Sequence, residues 1–303
     1  MTGRTMHDLV LRMIAVMALL ALMYAGVVGA MLLAGVAWQV VVPVVAVAVL
    51  LQWWAAEGLA RTATGAEIVD AGEEPELHGV LDRLCALNDV PKPRVAVSPD
   101  PVPNAFTLGR SERHTTIVVT RGLLEVLEPD ELGAALAHEV AHIRHRDVAV
   151  MTLAGSLAIA MAWGAKVARD FVRRNSGPAP ILQQILDLPV AFMLVAFYPL
   201  IILLGLCSLL AQMPLRALGR YRELAADHDA AVQTRQPALL AAALLKIGDG
   251  GLVPRTDLRA AARVPATSLV AAKPVRWAWW STHPAIARRV DRLTALSGTT
   301  ATR

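Results

Sequence analysis

In the run AALAHEVAHIRHRD, residues 134–147, three residues have types and spacing that could do chemistry: His138, Glu139 and His142. Histidines four residues apart share one face of a helix, so both imidazoles can reach a single metal ion. Glu139 follows His138 by one residue and points about 100° further round the helix. From there its carboxylate can stand beside a metal and take the proton of a water that attacks a carbonyl. Neutral imidazole suits zinc, a carboxylate can serve as the base, and a hydrolytic centre keeps one coordination position open. With 8 His and 11 Glu in 303 residues, chance supplies about 0.01 HExxH motifs per chain. That rate disfavours the bland alternative, a polar helix face carrying two hydrogen-bonded histidines.

A hydrolytic zinc site takes a third protein ligand. The segment GRYRELAADHDAA, residues 219–231, offers Glu223 and Asp227, again four apart on one helix face. Either can ligate while the other holds a ligand histidine from behind. Without the HEVAH run, the same residues would read as a solvated acidic stripe answering Arg220 and Arg222. Cys85 and Cys207 have no CxxC or Cys/His neighbourhood and read as inert thiols, neither a disulfide framework nor ligands.

The elements that must position these residues are partly legible. Residues 127–147 carry the clearest helix signal: Glu128 can cap it, Pro129 suits its first turn and Glu131 sits at the capping-box position. Residues 74–88 pattern as an amphipathic helix, with Leu77, Val80, Leu81, Leu84 and Leu87 on one face. Residues 94–97 and 116–120 are short branched-residue runs that predict strands, with the stretch PDPVPNAFTLGRSERH between them. Later, residues 218–234, 238–247 and 284–296 pattern as helices around a long loop at 248–275. The acidic run EIVDAGEEPE, residues 67–76, reads as a solvated turn.

Composition supplies the setting. The chain is 55% hydrophobic with a mean hydropathy of +0.49, too apolar for an ordinary soluble chain. No charged residue occurs from Met13 to Leu51, nearly twice the roughly 20 residues a helix needs to cross a bilayer. Two spans in a hairpin fit, at about 13–33 and 37–56, and the run is far longer than the apolar core of a cleaved signal peptide. Further apolar runs follow at 148–165 and 188–215, the last containing Pro189, Pro199 and Pro214. The expected organisation is therefore a transmembrane hairpin at 1–56, the first half of a catalytic domain at 57–147, a second pair of apolar helices at 148–215, and the second catalytic half at 216–303.

Arg4, Arg12, Arg61, Arg144, Arg146, Arg216, Arg220 and Arg222 flank one side of these runs, against Lys166, Arg169, Arg173 and Arg174 in the loop between runs three and four. The positive-inside rule then puts both polar regions in the cytoplasm of a multi-pass cell-membrane protein. Trp277, Trp279 and Trp280 suit an interfacial anchor at least as well as a substrate platform. The net charge of +4 is spread along the chain, which argues weakly for an anionic lipid surface and gives no reason to expect nucleic acid.

HEVAH running into an apolar span, ExxAD after the fourth run, NAFTLG at 104–109 and STHPAIARRV near the C-terminus together resemble the HtpX-type membrane metalloproteases of peptidase family M48. The resemblance covers most of the chain. It implies a mainly α fold with a small β-sheet, a gluzincin-type metalloprotease domain carried on a multi-span helical membrane protein. It implies one Zn2+ per chain on His138, His142 and Glu223, Glu139 as general base, and Asp227 behind one of the histidines. Asn104 would line the substrate cleft, with an extended peptide added near 116–120, and His283 would meet the oxyanion. Leu224 and Ala285 depart from the family's usual Tyr and second Pro, which bears on substrate preference and not on the metal.

These readings converge on a zinc-dependent integral-membrane endopeptidase acting on polypeptides, membrane or misfolded proteins, in stress response and quality control. The alternatives are a signalling protease that cleaves one regulator, or a membrane scaffold with structural zinc. A structural site fills all four positions with protein ligands, and no fourth Cys or His stands at suitable spacing. An intramembrane protease is excluded by the charged residues on both sides of HEVAH, from Glu125 to Asp147.

Overall fold

A computed structural model describes residues 64–148, 188–249, 267–268 and 283–300, chiefly the backbone within 188–211, and isolated positions among 11–54 and 150–174. Most of the first three apolar runs and the tryptophan cluster lie outside the described residues. Among the described residues no helix is long and apolar enough to cross a membrane. The chain divides into two compact units: Met1–Met13, Leu51–Leu153 and Arg216–Arg303 form one, Ile14–Leu50 and Ala154–Leu215 the other.

The first unit holds the candidate site. In chain order its elements are β1 (Glu67–Ile68), α1 (Pro75–Asn88), β2 (Arg94–Ser98), β3 (Ala105–Ser111), β4 (His114–Thr120), α2 (Arg121–Val126) and α3 (Pro129–Arg144). There follow the C-terminal part of α4 (Leu188–Thr234), then α5 (Pro237–Asp249), β5 (Thr267–Ser268) and α6 (Ile286–Thr300). The fold is mainly helical with a small mixed sheet of order β1-β2-β4-β3-β5. The β2–β4 pair is parallel and the other pairs are antiparallel.

Several differences from the sequence expectations have physical causes. Residues 105–111, to which the sequence assigned no element, form β3, because the chain turns tightly at Glu112–Arg113 and pairs Phe106 with Val118 and Leu108 with Thr116. Gly109 permits this: its φ is +152°, and a Cβ there would stand 2.3 Å from the carbonyl oxygen of His114. The register shifts at the same place, a bulge at the end of the strand nearest the turn. Residues 67–68 pair with β2, and only the part after them is the expected turn, where Asp70 accepts from the backbone N–H of Gly72 at 2.7 Å. The apolar run at 188–215 and the helix expected at 218–234 form one helix, with Pro199 and Pro214 inside it. Each proline removes a single backbone bond from a helix of 47 residues.

α3 starts as its sequence requires: the Glu131 carboxylate accepts from the Glu128 N–H at 2.9 Å. Lys246 of α5 then donates to the same Glu131 oxygen at 2.7 Å. One face of α3 packs on the sheet and on α1 and α5, with Leu81, Ile117, Val119, Leu136, Val140 and Leu244 in one buried cluster. Burying each large aliphatic side chain contributes about 1.5–3 kcal/mol, and together they hold α3 in place. The helix ends at His145, and Arg146 adopts a left-handed φ of 56° while its N–H donates to the carbonyl of Ile143 at 2.9 Å. That turn brings Asp147 back toward the helix it has just left.

Candidate active site

α3 carries His138, Glu139 and His142, none of which has any exposed surface, and α4 brings Glu223 to them. The two imidazoles stand edge to face, with their Nε2 atoms 3.2 Å apart. Glu223 Oε2 lies 3.6 Å from His138 Nε2, and its Oε1 lies 3.8 Å from His142 Nε2. Tetrahedral zinc with bonds of about 2.0–2.2 Å separates its donors by roughly 3.3–3.5 Å. One imidazole nitrogen from each histidine and one carboxylate therefore converge at a spacing that fits a zinc ion. Glu223 Oε2 and Glu139 Oε1 are buried without a hydrogen-bond partner among the described residues.

The far sides of both imidazoles are occupied. His138 Nδ1 is 2.9 Å from Asp227 Oδ1, and His142 Nδ1 is 2.7 Å from Asp147 Oδ2. A carboxylate on Nδ1 keeps the proton there and turns the Nε2 lone pair toward the metal position. Asp227 thus stands behind His138, one of the two histidines expected for it. The partner of His142 is Asp147, which in the sequence is only the polar end of the helix. Its signal was its place five residues after His142, visible only if the helix is known to end in a left-handed turn.

Two arginines and one threonine also went unrecognised. Arg289 of α6 is buried and donates to Asp227 from Nε at 2.8 Å and from Nη2 at 2.6 Å, with Nη1 3.6 Å from Glu223 Oε2. Arg222 of α4 is buried against Asp147. Thr107 of β3 donates to Glu139 Oε2 at 2.6 Å. The stretch STHPAIARRV singled out His283, and the structure sets its Nδ1 3.2 Å from Glu223 Oε2.

The electrostatics follow from burial and these partners. Burial raises the carboxyl pKa of Glu139, as a proton acceptor requires, against the opposing pull of His142, His138 and Thr107. Burial would also raise that of Glu223, but His283, His138 and Arg289 hold it well below the usual carboxylate range. Asp227 is likewise brought down to about 2 against burial, chiefly by Arg289 and then His138. His138 rises to about 9, because its bonds to Asp227 and Glu223 outweigh its burial. A cation bound at Nε2 would displace that proton.

Asn104 is buried just before β3, three residues from Thr107. Its backbone is clamped to Thr120: its N–H donates to Thr120 Oγ1 at 2.8 Å, and its carbonyl accepts from that hydroxyl and from the Thr120 N–H, each at 3.0 Å. The expectation that a peptide adds near 116–120 is corrected here. β4 is paired with β2 on one side and β3 on the other, so its backbone has no open edge. The outer side of β3 meets only the two-residue β5 among the described residues, at Phe106 and Thr107.

The profile of Peptidase family M48 matches residues 71–297, three quarters of the chain. This chain belongs to peptidase family M48. Among its relatives, Protease HtpX homolog 1 of Streptomyces coelicolor is 39% identical over 97% of this chain and 94% of its own length. Protease HtpX homolog of Moorella thermoacetica is 36% identical over 94% and 93%. This M48 chain is a metalloendopeptidase by that kinship. Its fold is similar to that of the crystal structure of S. mikatae Ste24p, with a TM-score of 0.50 at 17% identity. That alignment covers 84% of this M48 peptidase and 58% of the longer chain.

Proposed function

We propose that this M48 peptidase is a zinc-dependent integral-membrane endopeptidase that cleaves membrane or misfolded proteins on the cytoplasmic side of the cell membrane. The observation that carries the zinc reading is the convergence of His138 Nε2, His142 Nε2 and the Glu223 carboxylate, with each Nδ1 already taken by another carboxylate. Zinc held by these residues would act as a Lewis acid toward the scissile carbonyl and make an attacking water more acidic.

The remaining work falls to the chain's own residues. Glu139 has one oxygen held by Thr107 and the other without a partner among the described residues, so Oε1 accepts the proton of the attacking water. The same carboxyl then delivers that proton to the leaving amine. His283 Nδ1 stands 3.2 Å from Glu223 Oε2, beside the metal ligands, and the oxyanion role assigned to it rests on that position and on the resemblance. Asn104 and β3 suit an extended peptide running along the outer side of β3, with main-chain bonds for affinity. A structural zinc site would leave the pairing of Glu139 with Thr107 without a purpose, which favours catalysis over a scaffold.

The membrane and quality-control parts of the reading rest on the long uncharged apolar runs and on the resemblance to the HtpX type. Glu139→Ala with metal analysis tests the enzyme: zinc is expected to stay and proteolysis to be lost, and unchanged cleavage refutes the role of Glu139. A Cys introduced at Ser176, outside the described residues, tests the topology. Labelling only from the cytoplasmic side excludes four complete spans.

A further inference from the structure

We propose that Arg222 and Asp147 form a positioning pair that fixes the tautomer of His142 and joins the two helices that carry the metal ligands. The inference rests on the metallopeptidase reading above. Asp147 follows α3 through the left-handed Arg146 and returns to set Oδ2 2.7 Å from His142 Nδ1. Arg222, next to Glu223 on α4, donates from Nη1 to the Asp147 carbonyl at 2.8 Å. Its Nη2 lies 2.9 Å from Asp147 Oδ1, an ionic contact away from the ideal hydrogen-bond direction. The pair is dry, at 3% and 1% side-chain exposure. The His145 ring also faces Asp147, at 4.0 Å.

Chemistry makes this more than an ion pair. A guanidinium only donates, so its charge beside Oδ1 demands an oxygen there. The other oxygen is left to face His142, where it accepts the Nδ1 proton and leaves the Nε2 lone pair for the metal. Arg222 thus acts on His142 through Asp147, while its neighbour Glu223 supplies the third ligand. One contact ties the ligand pair of α3 to the ligand of α4.

In this geometry Asp147→Asn places an amide between a guanidinium and an imidazole. Arg222 would hold the new amide oxygen at the Oδ1 position and so aim the amide NH2 at His142 Nδ1. A donor there forces the proton onto Nε2, the wrong tautomer for ligation, as happens when the carboxylate behind a catalytic histidine becomes an amide. Removing the guanidinium as well, in Asp147→Asn/Arg222→Met, frees the amide to turn its oxygen to His142. The second substitution is therefore expected to repair the first.

The test uses the full chain in detergent, with zinc affinity read by competition with a chromophoric chelator and the geometry by the visible spectrum of Co2+. Asp147→Asn is expected to bind zinc about 100-fold more weakly than wild type, and the double variant about 10-fold more weakly, with its Co2+ spectrum returning toward wild type. A pair that only stabilises the fold gives the opposite order, and a double variant no tighter than Asp147→Asn overturns the proposal. If Asp147→Asn is not recovered folded, Arg222→Met alone decides: about 10-fold weaker zinc binding is expected, and unchanged affinity overturns the proposal. Wild type that binds no zinc removes the metallopeptidase reading as well; zinc in the wild type with unchanged affinity in Asp147→Asn removes this inference only.

Discussion

Thr107 donates a 2.6 Å hydrogen bond to Glu139 Oε2, while Glu139 Oε1 is buried without a partner among the described residues. A strand residue thereby orients a helix carboxylate and leaves one oxygen for proton transfer. Thr107→Val removes the hydroxyl at nearly constant volume. It is expected to lower kcat about 10–100-fold through misplacement of the base, with zinc content unchanged and activity largely restored by Thr107→Ser. Kinetics on a fluorogenic peptide beside metal analysis check this; full activity in Thr107→Val would show that Glu139 needs no such anchor.

Glu223 and Asp227 are four residues apart but differ in role: the first reaches Nε2 of both histidines and the second the Nδ1 of His138. Glu223→Ala is expected to be isolated without zinc. Asp227→Ala should retain zinc with affinity reduced about 10–100-fold. Mass spectrometric metal content of the two purified variants separates these outcomes, and the reverse result exchanges the assignments.

Arg289 is 1% exposed and holds both oxygens of Asp227 while facing Glu223. Replacing it by Met leaves buried carboxylates without their countercharge. Destabilisation of about 3–5 kcal/mol is expected in denaturant unfolding of the metal-free protein. A loss below about 1 kcal/mol would mean that the surrounding groups or water compensate the charge.

Asp229 of α4 meets His145 at 2.6 Å and also Arg144 at the end of α3. Burial pushes its carboxyl pKa up, but the bonds and charges of His145 and Arg144 prevail and hold it below the usual value. A depressed folded pKa means that its stabilisation is complete above the unfolded value of about 3.9 and is lost as pH falls through the folded value. The stability difference between wild type and Asp229→Asn is therefore expected to be fully present at about pH 5 and to shrink below about pH 4. A difference that persists unchanged to pH 3 would contradict the ion pair.

The helix that carries the chemistry was legible because its signals are local. Capping by Glu131, the proline at its start and the four-residue spacing of its histidines all act within a few turns. β3 was not legible, since its Pro-rich approach hides the pattern and its pairing depends on a glycine conformation that only a neighbouring strand requires. The join between the fourth apolar run and the helix bearing Glu223 was missed for a related reason: proline is read as a break, yet a long helix tolerates the loss of single bonds.

By itself the sequence determined the residue types of a hydrolytic metal site, the helix that presents two of them, and a pair of acids suited to complete it. Those follow from periodicity and from the chemistry of imidazole and carboxylate. Tertiary structure alone decided that Asp147 and Asp227 divide the two histidines between them, and that Thr107 of β3, Arg222 of α4 and Arg289 of α6 support the site. The physical reason is separation along the chain: Arg289 is 62 residues from Asp227 and Arg222 is 75 from Asp147, so no local periodicity links them. Only packing in a dry interior, where each buried charge must find its opposite, brings such partners together.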